Sequence, residues 1–314
     1  MAQENLAPYA AEWLEMEQKL GGRSVLKGTI EEQRTQFAGL GAALAPLAPQ
    51  LPGILDIEDV MISDTLRVRV YSPKEGKGKL PFGMHCGGFV MGGIEADDYF
   101  CRVVSMSAPC VIVSVEYRLA PENKYPAAHD DGHVAFEWAY ANASKYGASS
   151  SRGFTIGQSA GANMAISLAL RVKQSSQPDR VKGVVALVPP TVVSSAIPKE
   201  LATHFNGDNN LDSAIIDSTA MDLYLSSYAP PPLEPGYSVL LSPKLSLLPL
   251  TYLAVCGKDP LRDDGLVFEK ALKGAGVNTK IDYYEGWPHM FWIIPGLKKG
   301  DEAIKNIVTG VKWW

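Results

Sequence analysis

Four cysteines in 314 residues, none in a C-x-x-C pair, are too few and too scattered for a disulfide framework. Cys86, Cys101, Cys110 and Cys256 therefore read as thiols of a reduced, cytoplasmic chain. Long apolar runs are missing as well. The greasiest stretch, 245–256, is interrupted by Pro249 and falls short of the ~20 residues that a membrane helix needs. The opening Met1-Ala-Gln-Glu-Asn-Leu has no basic segment leading into an apolar one, so no secretory leader is expected. A basic surplus is absent too. Lys and Arg number 29 against 34 Asp and Glu, a formal charge of −5, which argues against nucleic acid as the main partner. Internal repeats and low-complexity tracts are not found. What is present is ordinary globular composition, 46% hydrophobic and 20% charged, enough to bury a sizeable core and incompatible with a disordered or collagen-like chain.

The order of patterns indicates the architecture. Trp13, Leu14, Met16 and Leu20 have helical spacing that Gly21-Gly22 ends, and a second helix is expected over 29–44. Strands are expected at 60–63 and 66–71, the second alternating Leu66, Val68 and Val70 with Arg67 and Arg69. Short apolar runs follow at 80–85, 110–117, 153–156, 181–188, 250–256 and 280–284. Helical segments at 127–140, 160–173 and 266–273 lie among them. Continuous β-branched runs alternating with helices predict an α/β fold whose mostly parallel sheet is covered on both faces. The interval 189–249 is far longer than a simple crossover. It holds a helical stretch at 219–228 and the turn Ala229-Pro230-Pro231-Pro232. The expected division is a set of N-terminal helices over 1–50 and an insertion over 191–239, together forming a cap. The catalytic core is then 51–190 and 240–314.

Chemistry concentrates at Gly157-Gln158-Ser159-Ala160-Gly161, a G-x-S-x-G between a strand and a helix. Glycines beside the serine permit a sharp turn, and the helix N-terminus favours negative charge beside it. A serine hydroxyl needs a base, and the base an orienting acid, which on this architecture follow in the order serine, acid, histidine at later strand ends. Of the five histidines, His289 satisfies this order, in the loop after the strand at 280–284. Asp259 satisfies it as the acid, in Gly257-Lys258-Asp259 after the strand at 250–256, with Asp263 and Asp264 as neighbouring rivals at the start of a helix. His85-Cys86-Gly87-Gly88, with Gly92-Gly93 beyond, offers backbone N–H groups for an oxyanion.

These motifs, together with Tyr117-Arg118-Leu119-Ala120-Pro121-Glu122, Tyr125-Pro126-Ala127-Ala128, Asp259-Pro260-Leu261-Arg262-Asp263 and His289 followed by Phe291, run in one order over residues 60–295. In this the chain resembles the hormone-sensitive-lipase-like carboxylesterases of the α/β-hydrolase superfamily. The resemblance implies an α/β-hydrolase fold with a helical cap and a serine carboxylic-ester hydrolase. It implies catalytic Ser159, Asp259 and His289, oxyanion donors on the backbone of Gly87, Gly88 and Ala160, and no cofactor or metal. The substrate class is a small to medium, partly apolar ester, with fungal biosynthetic acetylesterases as plausible relatives. Acyl transfer, cyclisation or bond cleavage on the same machinery, and a homodimer, stay open. Two positions depart from the pattern. Cys86 stands where H-G-G-G has its first inner glycine, and Gln158 replaces the aspartate of G-D-S-A-G-G, whose last glycine is Ala162 here.

Other features carry less. His129 and His133, four apart, have a spacing that can hold a metal on a helix, but they fall in a structural stretch of the family. Asn142-Ala143-Ser144 is a formal glycosylation sequon, expected to be silent. Trp313-Trp314 is expected to pack on the body. Some relatives of the family are non-catalytic hormone receptors, but these lack the triad histidine, so the presence of His289 argues for an enzyme.

Overall fold

The computed structural model describes residues 7–75, 82–85, 88–205 and 213–313, with 82–85 described by backbone alone. Strands β1 (Leu55–Met61), β2 (Arg67–Pro73), β4 (Val111–Glu116) and β3 (Phe82–His85) form one ladder in that order. Strands β5 (Phe154–Gln158), β6 (Gly183–Leu187), β7 (Leu250–Cys256) and β8 (Thr279–Tyr284) form another. β3 lies alongside β5, which joins the two into one wall. Only the β1–β2 and β2–β4 pairings are antiparallel; the rest are parallel, so their C-terminal ends share one edge.

Successive strand residues face opposite sides. Val184 and Ala186 enter one core with Phe136, Ile166 and Phe268. Val185 and Leu187 enter the other with Phe154, Ile156, Tyr252 and Phe291. Helices α4 (Ala127–Asn142) and α5 (Ala160–Lys173) cover the first face; α3 (Asp98–Ser107) and α8 (Lys298–Val311) cover the second. α7 (Arg262–Gly274) sits between β7 and β8 in the chain. Among the described residues no helix is long and apolar enough to cross a membrane.

The outermost strand departs most from its expected limits. β1 lies earlier than 60–63 because Asp56, Glu58 and Asp59 occupy it, and no apolar run marks a half-exposed edge. Its register depends on pairs that single-strand periodicity cannot show: Asp59 accepts from Arg69 at 2.6 and 2.8 Å and from Arg67 at 3.3 Å. α3 and α8 fall outside the expected helices, although Ala303, Ile307 and Val311 of α8 are buried four residues apart. α7 starts at Arg262, earlier than 266, so Asp263 and Asp264 lie in its first turn.

The N-terminal segment provides α1 (Ala11–Lys19) and α2 (Ile30–Leu44), and residues 213–228 end in α6 (Ser218–Tyr228). A capping box starts α2: Thr29 accepts from Glu32 N at 3.3 Å, and Glu32 accepts from Thr29 N at 2.7 Å. The segments are laced together. Leu26 N donates to Ile215 O at 3.2 Å, Ile215 N to Ser24 O at 2.8 Å, and the Tyr224 hydroxyl to Gln33 at 2.5 Å. Arg34 of α2 reaches down to Val90 O at 2.7 Å, Ala120 O at 2.8 Å and Glu122 at 2.7 Å.

Candidate active site

Ser159 sits between the end of β5 and the first residue of α5, with φ 53° and ψ −123°. A side chain at positive φ is uncommon and strained, and it persists only where neighbours enforce it. Here the enforcement is visible. Ser159 N donates to Leu187 O of β6 at 2.8 Å, while Ala162 N donates to Ser159 O at 2.8 Å. The strand-to-helix reversal is so tight that a Cβ on Gly157 would lie 2.1 Å from Gly161 O, so only glycine is accommodated at 157. Ala160 opens α5, where the first N–H groups of a helix lack an intrahelical acceptor.

Asp259 follows β7 and His289 follows β8, so both lie at the edge where β5 delivers Ser159. The two meet: His289 Nδ1 and Asp259 Oδ2 are 2.7 Å apart, and both residues are buried. The other carboxylate oxygen accepts from Leu261 N at 2.9 Å. Their loops are stitched by Lys258 N to Trp287 O at 2.9 Å and Gly257 N to Tyr284 O at 2.8 Å. A buried imidazole with Nδ1 committed to a carboxylate has its tautomer and ring plane set, leaving Nε2 for a proton.

The rivals of Asp259 are engaged elsewhere. Asp263 pairs with Arg262 at 2.7 Å. Asp264 accepts from Thr191 N at 2.6 Å, from the Thr191 hydroxyl at 3.1 Å and from Val192 N at 3.3 Å, and burial pushes its carboxyl up to about 7. His129 is placed away from a metal role, since Tyr228 engages Nδ1 at 2.7 Å and Asn163 engages Nε2 at 3.0 Å. Burial depresses its pKa to about 4.

Of the oxyanion candidates, Gly87 and its neighbour Cys86 lie outside the described residues, as does Trp314. Gly88 follows β3, and its carbonyl accepts from the Tyr117 hydroxyl at 2.5 Å, which orients the next peptide. Tyr117, and Arg34 through Val90 O and Ala120 O, are residues that motif spacing did not single out for these contacts. Both act across long stretches of chain, where no local signal exists.

A cavity of about 910 Å³ lies between α2 and residues 91–102. Phe37, Leu44, Met91, Tyr99 and Ile293 are among its walls, while Ser159, Asp259 and His289 are not.

Comparison with known proteins places the chain in a family. The α/β-hydrolase-fold family matches residues 82–293. A versiconal hemiacetal acetate esterase of Dothistroma septosporum is 38% identical over 311 residues, 97% of this chain and 94% of that protein. Another of that name, from Aspergillus parasiticus, is 35% identical and covers 98% of both chains. Among solved structures, vibralactone cyclase superimposes with a TM-score of 0.89 at 27% identity, spanning 100% of this chain and 96% of that one. The chain belongs to the α/β-hydrolase family, among its hormone-sensitive-lipase-like carboxylic ester hydrolases.

Proposed function

We propose that Ser159, His289 and Asp259 act together to hydrolyse a carboxylic ester through an acyl-enzyme. Ser159 Oγ attacks the ester carbonyl while His289 Nε2 takes its proton, and Asp259 holds the ring and stabilises the imidazolium. The backbone N–H groups of Gly87, Gly88 and Ala160 receive the oxyanion; one such donor is worth roughly 3–4 kcal/mol of barrier. His289 then protonates the leaving alcohol. Water, deprotonated by the same ring, attacks the acyl-serine and frees the acid. The observation that carries this reading is the buried 2.7 Å His289–Asp259 pair at the strand edge that bears the strained Ser159.

The substrate proposed is the acetate of a partly apolar secondary metabolite. Support comes from the relatives named for versiconal hemiacetal acetate, to which the chain is similar over nearly its whole length. Residues 1–50 and 191–239 are read as the cap that shapes access, and 51–190 with 240–314 as the core. The lacing of Gln33 to Tyr224 and of Val25 to Ile215 supports that division. A cytoplasmic setting belongs to the same proposal, supported by the buried thiols of Cys101, Cys110 and Cys256.

The test is a series of aryl esters of increasing acyl length, followed by mass detection of acylated Ser159. Turnover should be greatest for acetyl and other short acyl groups, and a trapped adduct should map to Ser159. An adduct elsewhere, or none with turnover intact, refutes the reading. A second reading, intramolecular acyl transfer giving a lactone, is favoured by the likeness to vibralactone cyclase. Product analysis separates the two, because intramolecular transfer yields a lactone and hydrolysis yields free acid.

A further inference from the structure

Gln158 is the residue at which the chain departs from its family beside the nucleophile, and it is fully buried. Strand alternation puts it on the same face of β5 as Phe154 and Ile156, the face packed by α3 and by the segment after His289. Its amide uses both ends there. Oε1 accepts from the Trp292 indole N–H at 2.7 Å, and Nε2 donates to Asp97 Oδ1 at 3.2 Å. Trp292 belongs to the single turn Phe291–Ile293, entered through Met290 at φ 51°, directly after His289. Asp97 stands at the N-cap of α3, yet its carboxylate makes no cap bond to that helix and turns to Gln158. Three segments therefore converge on one side chain: the nucleophile turn, the histidine loop, and the run that leaves the Gly88 turn and enters α3.

We infer that Gln158 is a positioning residue, whose amide sets the histidine loop and the start of α3 in register with Ser159. This rests on the triad reading above. An amide suits this bridge. Trp292 can only donate and an ionised Asp97 can only accept, so the bridging group must accept on one side and donate on the other. A carboxylate at 158 would satisfy Trp292 but face Asp97 as a like charge in a buried site, which favours sharing one proton between the two. Other described titratable groups on this side are Asp98, which accepts from Tyr71, Arg69 and Arg102, the buried thiols of Cys101, Cys110 and Cys256, and the buried phenols of Tyr71, Tyr252 and Tyr284. His289 and Asp259 lie beyond Trp292 in the pair already described.

The experiment compares Gln158→Glu, the double variant Gln158→Glu/Asp97→Asn, Trp292→Phe and Ser159→Ala with the intact chain. Esterase kcat and KM are read from pH 6 to 8.5, together with thermal unfolding. In Gln158→Glu the kcat relative to the unaltered enzyme should be down about tenfold at pH 8 with KM within about threefold, recovering toward pH 6 as the shared proton returns. Asp97→Asn added to it supplies a donor to the introduced carboxylate and should restore kcat to within about threefold and flatten the ratio with pH. A side chain that only supports folding would move the unfolding temperature and leave the ratio flat. A flat ratio near one, or a double variant no better than the single, overturns the proposal. If Gln158→Glu does not fold, Trp292→Phe decides: it removes the indole donor together with part of the ring and should lower kcat about fivefold with KM nearly unchanged, whereas unchanged kcat overturns the proposal. Ser159→Ala separates the two levels. If it is inactive and the Gln158 results fail, the triad reading stands and the positioning role falls; if it is active, both fall.

Discussion

The rim made by β5, β7 and β8 and the seam where α2 and residues 213–228 meet the core are held by different means. At the rim the polar contacts are buried. Asp259 and His289 expose 0% and 4% of their side chains, and Gln158, Asp97 and Trp292 are buried as well. At the seam the ion pair of Arg34 with Glu122 is partly in water, the two side chains exposing 31% and 57%. Buried charge-assisted bonds hold geometry stiffly and are costly to break, whereas exposed ion pairs contribute about 1 kcal/mol or less. The rim is therefore suited to invariant chemistry, and the seam to admitting or refusing a substrate. Alterations at the rim should change kcat, and alterations at the seam should change KM and acyl preference.

The contrast can be broken in several places. Removing the nucleophile is the most severe: Ser159→Ala should lower kcat by roughly 10⁵-fold or more, with circular dichroism unchanged. Next comes Asp259→Asn, which keeps the shape but weakens the hold on His289; kcat should fall roughly 10³–10⁴-fold while KM moves little. Retention of a tenth of the activity would place the orienting acid elsewhere. Gly157→Ala tests the turn itself, because the added methyl would meet the Gly161 carbonyl and the chain must shift. Denaturant unfolding should show a loss of about 3 kcal/mol, together with reduced kcat.

Acid stability sharpens the comparison, since one shifted group belongs to each region. Burial drives the pKa of His129, bonded to Tyr228 of α6, down to about 4. Between that value and its unfolded value of about 6.5 only the unfolded chain takes the proton, so this group removes stability as pH falls. Asp264, behind the rim, is pushed up to about 7 by burial. Between about 4 and 7 the folded chain holds the extra proton, so that group removes stability as pH rises. The two slopes oppose each other. Asp264→Asn should remove the falling slope, so that stability climbs more steeply with pH than in the unaltered chain, by up to about 1.4 kcal/mol per unit between pH 4 and 6.5. A flat urea midpoint over that range in the variant would contradict the balance. The smallest effect is expected at the seam, where Arg34→Ala should raise KM about threefold and leave kcat within about twofold.

Much of the core was legible because its patterns are local. The expected run at 250–256 coincides with β7, and the expected helix at 160–173 with α5, because a short β-branched run and a long apolar helix after a glycine turn have few alternative readings. β1 was displaced because its register is fixed by ion pairs with β2, and α3 was missed although Phe100, Cys101 and Val104 lie at helical spacing on its buried face. Asp259 could be preferred to Asp263 and Asp264 from position alone. Their separate partners, His289, Arg262 and Thr191, came from the fold.

Residue order alone determined the α/β class, the nucleophile turn and the strand-end places of an acid and a histidine, because each depends on neighbours within a few residues. Only the tertiary structure decided that the imidazole meets that acid at 2.7 Å and that Gln158 joins Asp97 to Trp292. Hydrogen bonds between residues far apart in the chain exist once the sheet has closed its register and excluded water, and no periodicity within one segment encodes them.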